Sequence, residues 1–394
     1  MRLWSMAGLI MVASALAVAA CGGGGSAEDG ETPLAVTSLT PPGVTQFTTI
    51  DFFKVANYSA QKLPAYFDET VAALDNSRAP AAIDDRVATL GRVLFYDLRL
   101  STNDRTSCAS CHQQALGFSD SMRFSNGISG AATTDFHSMR LGNLRYWRPG
   151  SMFWDRRVAS VEAQAGHPLL NPVEMGWRGP QGGIHALIRK MGATAYYRDL
   201  FAWAFDNSTI TEPRIQQALG QFVRAMISSS SRWDTGYARV FSPDAPDRAL
   251  TIDLPNFTAE ENRGRQLFMS DVGQGGAGCS ACHLPPTFAL AANSRSNGLD
   301  RGETRLFKAP SLRNVGLTGP YMHDGRFATL AEVIDFYDRD IQEGPALDNR
   351  LRQGRRLQRL NLTAADRAAL VAFLKTLNDP VLTTDARFSD PFRR

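Results

Sequence analysis

Two five-residue segments carry the residue types best suited to chemistry in this 394-residue chain. Residues 108–112 are Cys-Ala-Ser-Cys-His, and residues 279–283 are Cys-Ser-Ala-Cys-His. This spacing is typical of c-type haem attachment, because two thiols reach the vinyl groups of one porphyrin while the next imidazole reaches the iron. The two copies predict two covalently bound haem c groups, with His112 and His283 as proximal iron ligands.

Zinc and a disulfide are the competing interpretations of these cysteines. A structural zinc site would need four ligands drawn from both segments, and a disulfide within a pair is the other use of two close thiols. Neither explains why a histidine directly follows each pair. We therefore expect thioether bonds at Cys108, Cys111, Cys279 and Cys282.

The start of the chain predicts export. Arg2 precedes an apolar run that ends in small residues, as in a signal peptide. Residues 18–21 (Val-Ala-Ala-Cys) resemble a bacterial lipobox, so we expect Cys21 to be lipidated, with ordinary cleavage as the alternative. These features predict a periplasmic protein that contacts the membrane only through a lipid anchor. The net charge of +3, without basic runs, indicates no nucleic-acid partner.

Helices are expected to position both haem segments. The sequence Gly-Arg-x-Leu-Phe occurs before each segment, at residues 91–95 and 264–268. The first helix is expected to begin near Asp84, and the second at a capping box formed by Thr258 and Glu261. Further helices are predicted over residues 211–228 and 363–378.

The predicted fold is all-α, with two cytochrome c-like domains that each hold one haem. A signal peptide over residues 1–20 is followed by a flexible tether and N-terminal extension over 21–60. The N-terminal haem domain then covers 61–250, and the C-terminal haem domain covers 251–394.

Several ordered blocks resemble the bacterial dihaem cytochrome c peroxidase/MauG superfamily. They lie at residues 153–157 (Phe-Trp-Asp-Arg-Arg), 161–164 (Val-Glu-Ala-Gln), 171–176 (Asn-Pro-Val-Glu-Met-Gly) and 319–326 (Gly-Pro-Tyr-Met-His-Asp-Gly-Arg). The resemblance covers about residues 85–378. It implies that the N-terminal haem is peroxidatic and that the C-terminal haem transfers electrons.

The resemblance also implies roles for individual residues. Gln164, Pro168 and Glu174 match the distal pocket over the first iron, where a carboxylate can move a proton between the peroxide oxygens. Trp154 matches a tryptophan between the haems, which can carry an electron hole. Taken alone, Trp154 would be read as a core aromatic and Glu174 as a helix cap or surface carboxylate.

The distal ligand of the second iron separates two branches of the family. Residue 337 is Tyr, as in MauG-type enzymes, whereas peroxidases with small electron donors have Met there. A phenolate should favour oxidised iron, and a thioether reduced iron. The alternative is that Tyr337 only packs and that Met322 is the ligand.

His137 bears on two further family features. It is the nearest candidate for a histidine that caps the first iron, but it stands where relatives have a calcium-binding Asn. We therefore predict no sixth protein ligand on the first iron. Thr318 and Pro320 match the carbonyl donors for one Ca²⁺, which remains an open expectation. Arg313 and Arg326 are interpreted as partners of haem propionates.

Three functions follow from these features. The first is a hydrogen-peroxide-dependent, MauG-like oxidoreductase that uses a high-valent dihaem state to oxidise a Trp of a periplasmic or secreted partner protein. The segments around His137 and Trp154 look closer to those of MbnH, a MauG relative tied to copper-handling operons, than to those of MauG itself. The second is a dihaem peroxidase that reduces hydrogen peroxide with electrons from a small cytochrome c or cupredoxin. The third is a tethered, non-enzymatic electron-transfer cytochrome.

Overall fold

The computed structural model describes residues 41, 43–77 and 82–393. The predicted signal peptide, Cys21 and the first part of the tether lie outside these residues. The helices are α1 Glu69–Ala72, α2 Asp85–Tyr96, α3 Val161–Leu170, α4 Gly183–Ala193, α5 Ala195–Phe205, α6 Glu212–Arg224, α7 Arg232–Val240, α8 Ala259–Met269, α9 Leu330–Asp335, α10 Ala364–Lys375 and α11 Pro380–Thr384. The strands are β1 His283–Leu284, β2 Ala289–Leu290, β3 Arg352–Gln353 and β4 Arg356–Leu357, paired β1–β2 and β3–β4, both antiparallel.

Short irregular helices complete the described residues. A π-helix over Phe336–Asp340 continues α9 directly. Single 3₁₀ turns cover Leu98–Leu100, Cys108–Ser110, Gln114–Leu116, Leu144–Tyr146, Gly179–Gln181, Val272–Gln274, Cys279–Ala281, Val315–Leu317 and Asn349–Leu351. The described chain is therefore rich in helix with few strands, as predicted. Within it, no helix has both the length and the apolar character needed to span a membrane.

The predicted helix starts are confirmed by their caps. The Asp84 carboxylate accepts hydrogen bonds from the first amides of α2. Thr258 and Glu261 form the expected capping box of α8, and Thr363 caps α10. These side chains satisfy amide groups that have no partner inside the helix.

Helix α6 ends at Arg224, short of the predicted Ser228. The Ser228 hydroxyl and the next two backbone amides donate to Oδ2 of Asp379 at 2.9–3.0 Å. This buried carboxylate offers the chain better hydrogen bonds than another helical turn would.

The repeated glycines mark two equivalent helix crossings. A Cβ atom on Gly91 of α2 would overlap the carbonyl oxygen of Ala218 on α6, and one on Gly264 of α8 would overlap that of Ala369 on α10. Only glycine lets the backbones approach so closely. Each crossing lies beside one haem segment, because α2 contacts the 108–110 turn and α8 contacts the 279–281 turn.

Two hydrophobic cores form around these crossings. The first contains α2, α4, α5 and α6, and Cys108 packs against it. The second contains buried residues of α7, α8, α9 and α10, and Cys279 packs against it. Val44, Phe52 and Tyr58 of the N-terminal extension, and Phe388 near the C-terminus, belong to the first core. The domain boundary near residue 250 stays a prediction, and both α7 and the C-terminal tail pack across it.

Candidate dihaem site

The first haem segment presents a firmly oriented imidazole. Nδ1 of His112 lies 2.9 Å from the carbonyl oxygen of Phe118 and 3.3 Å from Oγ of Ser138. The carbonyl requires a proton on Nδ1, so Nε2 is left as the metal-binding atom. Burial lowers the pKa of His112, which keeps the ring in the neutral form that iron needs.

The second haem segment holds its imidazole differently. His283 begins β1, directly after the 279–281 turn. Its Nδ1 is buried and has no hydrogen-bond partner among the described residues. Burial, together with the positive charges of Arg140 and Arg350, lowers the pKa of His283 to about 3, so this ring is also neutral.

The four cysteines of the two haem segments are free thiols, as thioether formation requires. Burial raises the pKa of Cys108 and of Cys279 to about 12, so both thiols are protonated in this structure. No group of three or more His, Cys, Asp or Glu side chains is placed to hold a metal ion within the described residues. The zinc interpretation therefore gains no support.

A cavity of about 370 Å³ opens beside the second haem segment. Cys279, Cys282 and His283 line it together with an apolar wall. The wall includes Phe268, Leu312, Val315, Leu330, Ile334, Leu370 and Leu374. Two thiols, an imidazole and apolar walls in one cavity fit a covalently attached haem.

Tyr337 and Met322 both line this cavity with His283. Nδ2 of Asn297 donates to the Tyr337 hydroxyl at 3.3 Å and lies 3.5 Å from the Met322 sulfur. Burial raises the pKa of Tyr337 to about 12, so a phenolate there needs a positive charge beside it. Sequence reasoning missed Asn297, because its motif-free segment carries no signal of this role.

Glu174 lies close to the first pair of cysteines. Its charge contributes to the raised pKa of both Cys108 and Cys111. Nδ2 of Asn171 donates to its Oε1 at 2.7 Å. Burial raises the pKa of Glu174, so this carboxyl group holds a proton to higher pH than an exposed one does.

Gln164 and Pro168 lie one helical turn apart on α3. Residues at this spacing share one face of a helix. Pro168 has no amide hydrogen, so the carbonyl of Gln164 loses its usual helical partner. The structure thus places both residues on one face of α3, and their role in the distal pocket of the first haem stays a prediction.

Trp154 lines the second haem cavity and hydrogen-bonds to the segment around His137. Its indole Nε1 donates to the His137 carbonyl at 2.8 Å. The next residue, Ser138, has its Oγ 3.3 Å from Nδ1 of His112 in the first site. Trp154 is therefore held by a segment that reaches the first proximal histidine.

The residues expected to bind calcium line a small cavity of about 20 Å³. His137 lies there, with Nδ1 3.0 Å from the Met122 carbonyl and Nε2 3.3 Å from Oγ of Ser119. Nη1 of Arg140 donates to Oγ1 of Thr318 at 3.2 Å, and Pro320 completes the wall.

Calcium needs oxygen ligands and a negative surrounding, whereas this cavity presents an imidazole and a guanidinium. The residues present do not fit the expected calcium ion. Both ring nitrogens of His137 have polar partners in this arrangement, and the absence of a sixth protein ligand on the first iron stays a prediction.

The two arginines interpreted as propionate partners are already paired. Arg313 is fully buried, donates to Asp234 at 2.5 Å, and packs against Trp233 and Phe288. Arg326 pairs with Asp300 and Asp324, each at 2.8 Å. Neither arginine is among the residues that line the second haem cavity, and both already pair with carboxylates of the chain, so the structure gives the propionate interpretation no support.

Comparisons with known proteins agree with this arrangement. The family model for the di-haem cytochrome c peroxidases matches residues 85–239. The methylamine utilization protein MauG of Methylorubrum extorquens is 31% identical, over 73% of this chain and 77% of MauG. The cytochrome c551 peroxidase of Nitrosomonas europaea is 29% identical, over 63% and 72% of the two chains. The crystal structure of a MauG-like protein associated with microbial copper homeostasis superposes with a TM-score of 0.67, at 31% identity, over 84% of this chain and 99% of that one.

The fold and the paired sites define a dihaem, peroxidase-type oxidoreductase with two haem c cofactors. The chain belongs to the dihaem cytochrome c peroxidase/MauG family.

Proposed function

We propose that this enzyme uses hydrogen peroxide as oxidant and its haem pair to withdraw electrons from a tryptophan of a partner protein. The observation that carries the proposal is the Tyr337 hydroxyl in the cavity of the second haem segment. A phenol oxygen is a hard, anionic ligand that favours oxidised iron. A second centre closed in this way is suited to share oxidising equivalents with the first and ill suited to accept electrons at high potential.

The proposal assigns the cofactor contacts as follows. Cys108 and Cys111 attach the first haem and His112 is its proximal ligand, while Cys279, Cys282 and His283 do the same for the second. Bound haem supplies the redox-active iron, and the chain supplies orientation, proton transfer and exclusion of water.

Glu174 is proposed as the general acid–base of the first site. Asn171 holds Oε1, which leaves Oε2 to take a proton from the near oxygen of peroxide and return it to the far oxygen. Gln164 and Pro168 shape the same side of the site, with the Gln164 amide orienting the peroxide. Trp154 is proposed to carry electrons between the two sites.

Axial ligation by Tyr337 is tested by Tyr337→Met, with Met322→Leu as the matched control. We expect the wild-type and Met322→Leu proteins to lack a thioether-to-iron charge-transfer band, and to develop a near-infrared charge-resonance band on treatment with peroxide. Tyr337→Met should lose the near-infrared band. If Met322→Leu loses a thioether band that the wild type shows, the second iron is bound by sulfur and the proposal fails.

A second candidate is a scavenging peroxidase supplied by a small cytochrome c or cupredoxin. Met322 favours it, because its sulfur shares the Asn297 amide with Tyr337 in the same cavity. Rapid peroxide turnover with reduced cytochrome c, and no oxidation of tryptophan in a co-transcribed partner, would support this candidate.

We also propose that the enzyme works in the periplasm, anchored to the envelope by a lipid on Cys21. The support is the export signal over residues 1–20 and the lipobox-like residues 18–21. Metabolic labelling with a fatty acid should mark the wild type and leave Cys21→Ser unlabelled.

A further inference from the structure

Three neighbouring cationic side chains, one buried and two half-buried, have no carboxylate partner among the described residues. They are Arg140, Arg156 and Lys308. Lys308 is 2% exposed, and its Nζ donates only to the Met139 sulfur, at 3.3 Å. A thioether is a weak acceptor, so this ammonium group is buried almost without compensation.

The two arginines are equally short of negative charge. Arg140 donates to the Ser311 carbonyl and the Thr318 hydroxyl. Arg156 donates to two backbone carbonyls at 2.7 Å, and its Nε is buried without a partner. Among the described residues, no ion pair includes any of the three cations, whereas most other arginines of the fold have one.

These side chains lie close enough to repel one another. Arg156 and Lys308 both approach the ring of Trp147, at 5.1 and 6.0 Å from its centroid. Burial, and then the charges of Arg140 and Arg156, lowers the pKa of Lys308 to about 7. A cluster of positive charge around one buried ammonium group is costly unless a ligand supplies the opposite charge.

The cluster adjoins the second haem cavity. Arg140 lines that cavity and also a smaller one, which contains Lys308. Leu290, Ala309 and Pro310 line both cavities too, so the two spaces meet along a shared wall. A carboxylate reaching past Arg140 from the larger cavity would meet Lys308.

We propose that Arg140, Arg156 and Lys308 form a carboxylate-binding site that takes the propionate groups of the second haem. This rests on haem attachment at residues 279–283. This site would hold the cofactor through its carboxylates, in addition to the thioether bonds. It supplies the positive charge for the propionates, which Arg313 and Arg326 do not supply.

The test uses the holoprotein carrying haem labelled with ¹³C at the propionate carboxyl carbons. Lys308→Met removes the charge at similar volume, Lys308→Arg keeps it, and Lys62→Met changes an exposed lysine that precedes α1. The readouts are the reduction potentials of both haems across a pH series and the isotope-edited infrared difference spectrum. Haem content is measured for every variant.

In Lys308→Met a propionate loses its cation, so it should take up a proton at higher pH than in the wild type. We expect the potential of the second haem to become pH-dependent and the infrared spectrum to gain a protonated haem carboxyl band. Lys308→Arg and Lys62→Met should match the wild type. A potential shift of the same size at every pH, without movement of a haem carboxyl band, would show a direct charge effect and overturn the proposal.

Two further outcomes are decisive. If the potential of the first haem alone becomes pH-dependent, the assignment to the second haem is wrong. If Lys308→Met does not fold, the same potentials and infrared spectra are measured for Arg140→Gln and for the wild type. In the wild type, the labelled carboxylates of the second haem should stay ionised to lower pH than a solvent-exposed carboxylate, and early protonation would contradict the proposal.

Discussion

Asn171 and Asn297 are uncharged side chains that each hold one functional oxygen in place. Asn171 fixes Oε1 of Glu174 at 2.7 Å, and Asn297 donates to the Tyr337 hydroxyl at 3.3 Å. Asn171 lies three residues from Glu174, inside a motif that the sequence already displays. Asn297 lies forty residues from Tyr337, and only the folded chain brings the two together.

Glu174→Gln should slow the reaction of the oxidised enzyme with peroxide by about 10²–10⁴-fold, the usual contribution of a general acid–base. The ionised carboxylate is the form that accepts the first proton. Because burial raises the pKa of Glu174 above 4.5, the wild-type rate should rise with pH through an inflection above that value. Stopped-flow absorbance of the haem band measures both effects.

Glu162→Gln is the matched control for this substitution. Glu162 lies on the same helix as Gln164 but pairs with the buried Arg224. Its replacement should lower stability and leave the pH inflection in place. A wild-type rate that is independent of pH, or a Glu174→Gln enzyme with an unchanged rate, would remove Glu174 from the proton-transfer role.

At the scale of elements, short-range signals were sufficient wherever a local side chain decides the structure. The cap residues Asp84, Thr258 and Thr363 confirmed three helix starts. The end of α6 was missed because the deciding carboxylate, Asp379, lies far along the chain. Similarly, the π-helix over Phe336–Asp340, which carries Tyr337, leaves no periodic signature in five residues. Such helices are rare and occur frequently at functional sites.

Gly264→Ala tests the crossing of α8 and α10. The added methyl group would overlap the Ala369 carbonyl and approach Cβ of Phe373 to 2.9 Å. We expect the free energy of unfolding to fall by roughly 1–3 kcal/mol, as for other overpacked cores. Chemical denaturation of the holoprotein, followed by circular dichroism, measures the change.

Gly192→Ala in α4 is the control, since a methyl group there meets no atom within 4 Å. It should be neutral or stabilise by up to about 1 kcal/mol. Equal stability of the Gly264→Ala and wild-type proteins would mean that the backbones are not in close contact at this crossing.

At the scale of the whole molecule, both ends of the described chain complete the first core. The Tyr58 hydroxyl donates to the Arg387 carbonyl at 2.8 Å, and the Tyr96 hydroxyl donates to the Phe388 carbonyl at 2.5 Å. Thr48 also forms a β-bridge with Phe392. The sequence alone assigns the tail to the second haem domain, because no local pattern indicates that the tail packs against the first core.

Phe388→Ala should destabilise the protein by roughly 3–5 kcal/mol, the usual cost of removing a fully buried aromatic ring. Phe388 is 1% exposed, whereas Phe53 of the N-terminal extension is 75% exposed. Phe53→Ala is therefore the control and should change the unfolding midpoint little. Comparable midpoints for the two variants would show that the tail does not stabilise the first core.

The return of the tail also sets an order of assembly. The ribosome completes α2 and α6 well before it reaches Phe388. The first core therefore cannot be completed until the last residues of the chain have been synthesised. The second core needs no such delay, since its helices end at Lys375. The core around the first haem segment thus remains incomplete for longer. Premature termination near the C-terminus would therefore destabilise the first core while leaving the second core intact.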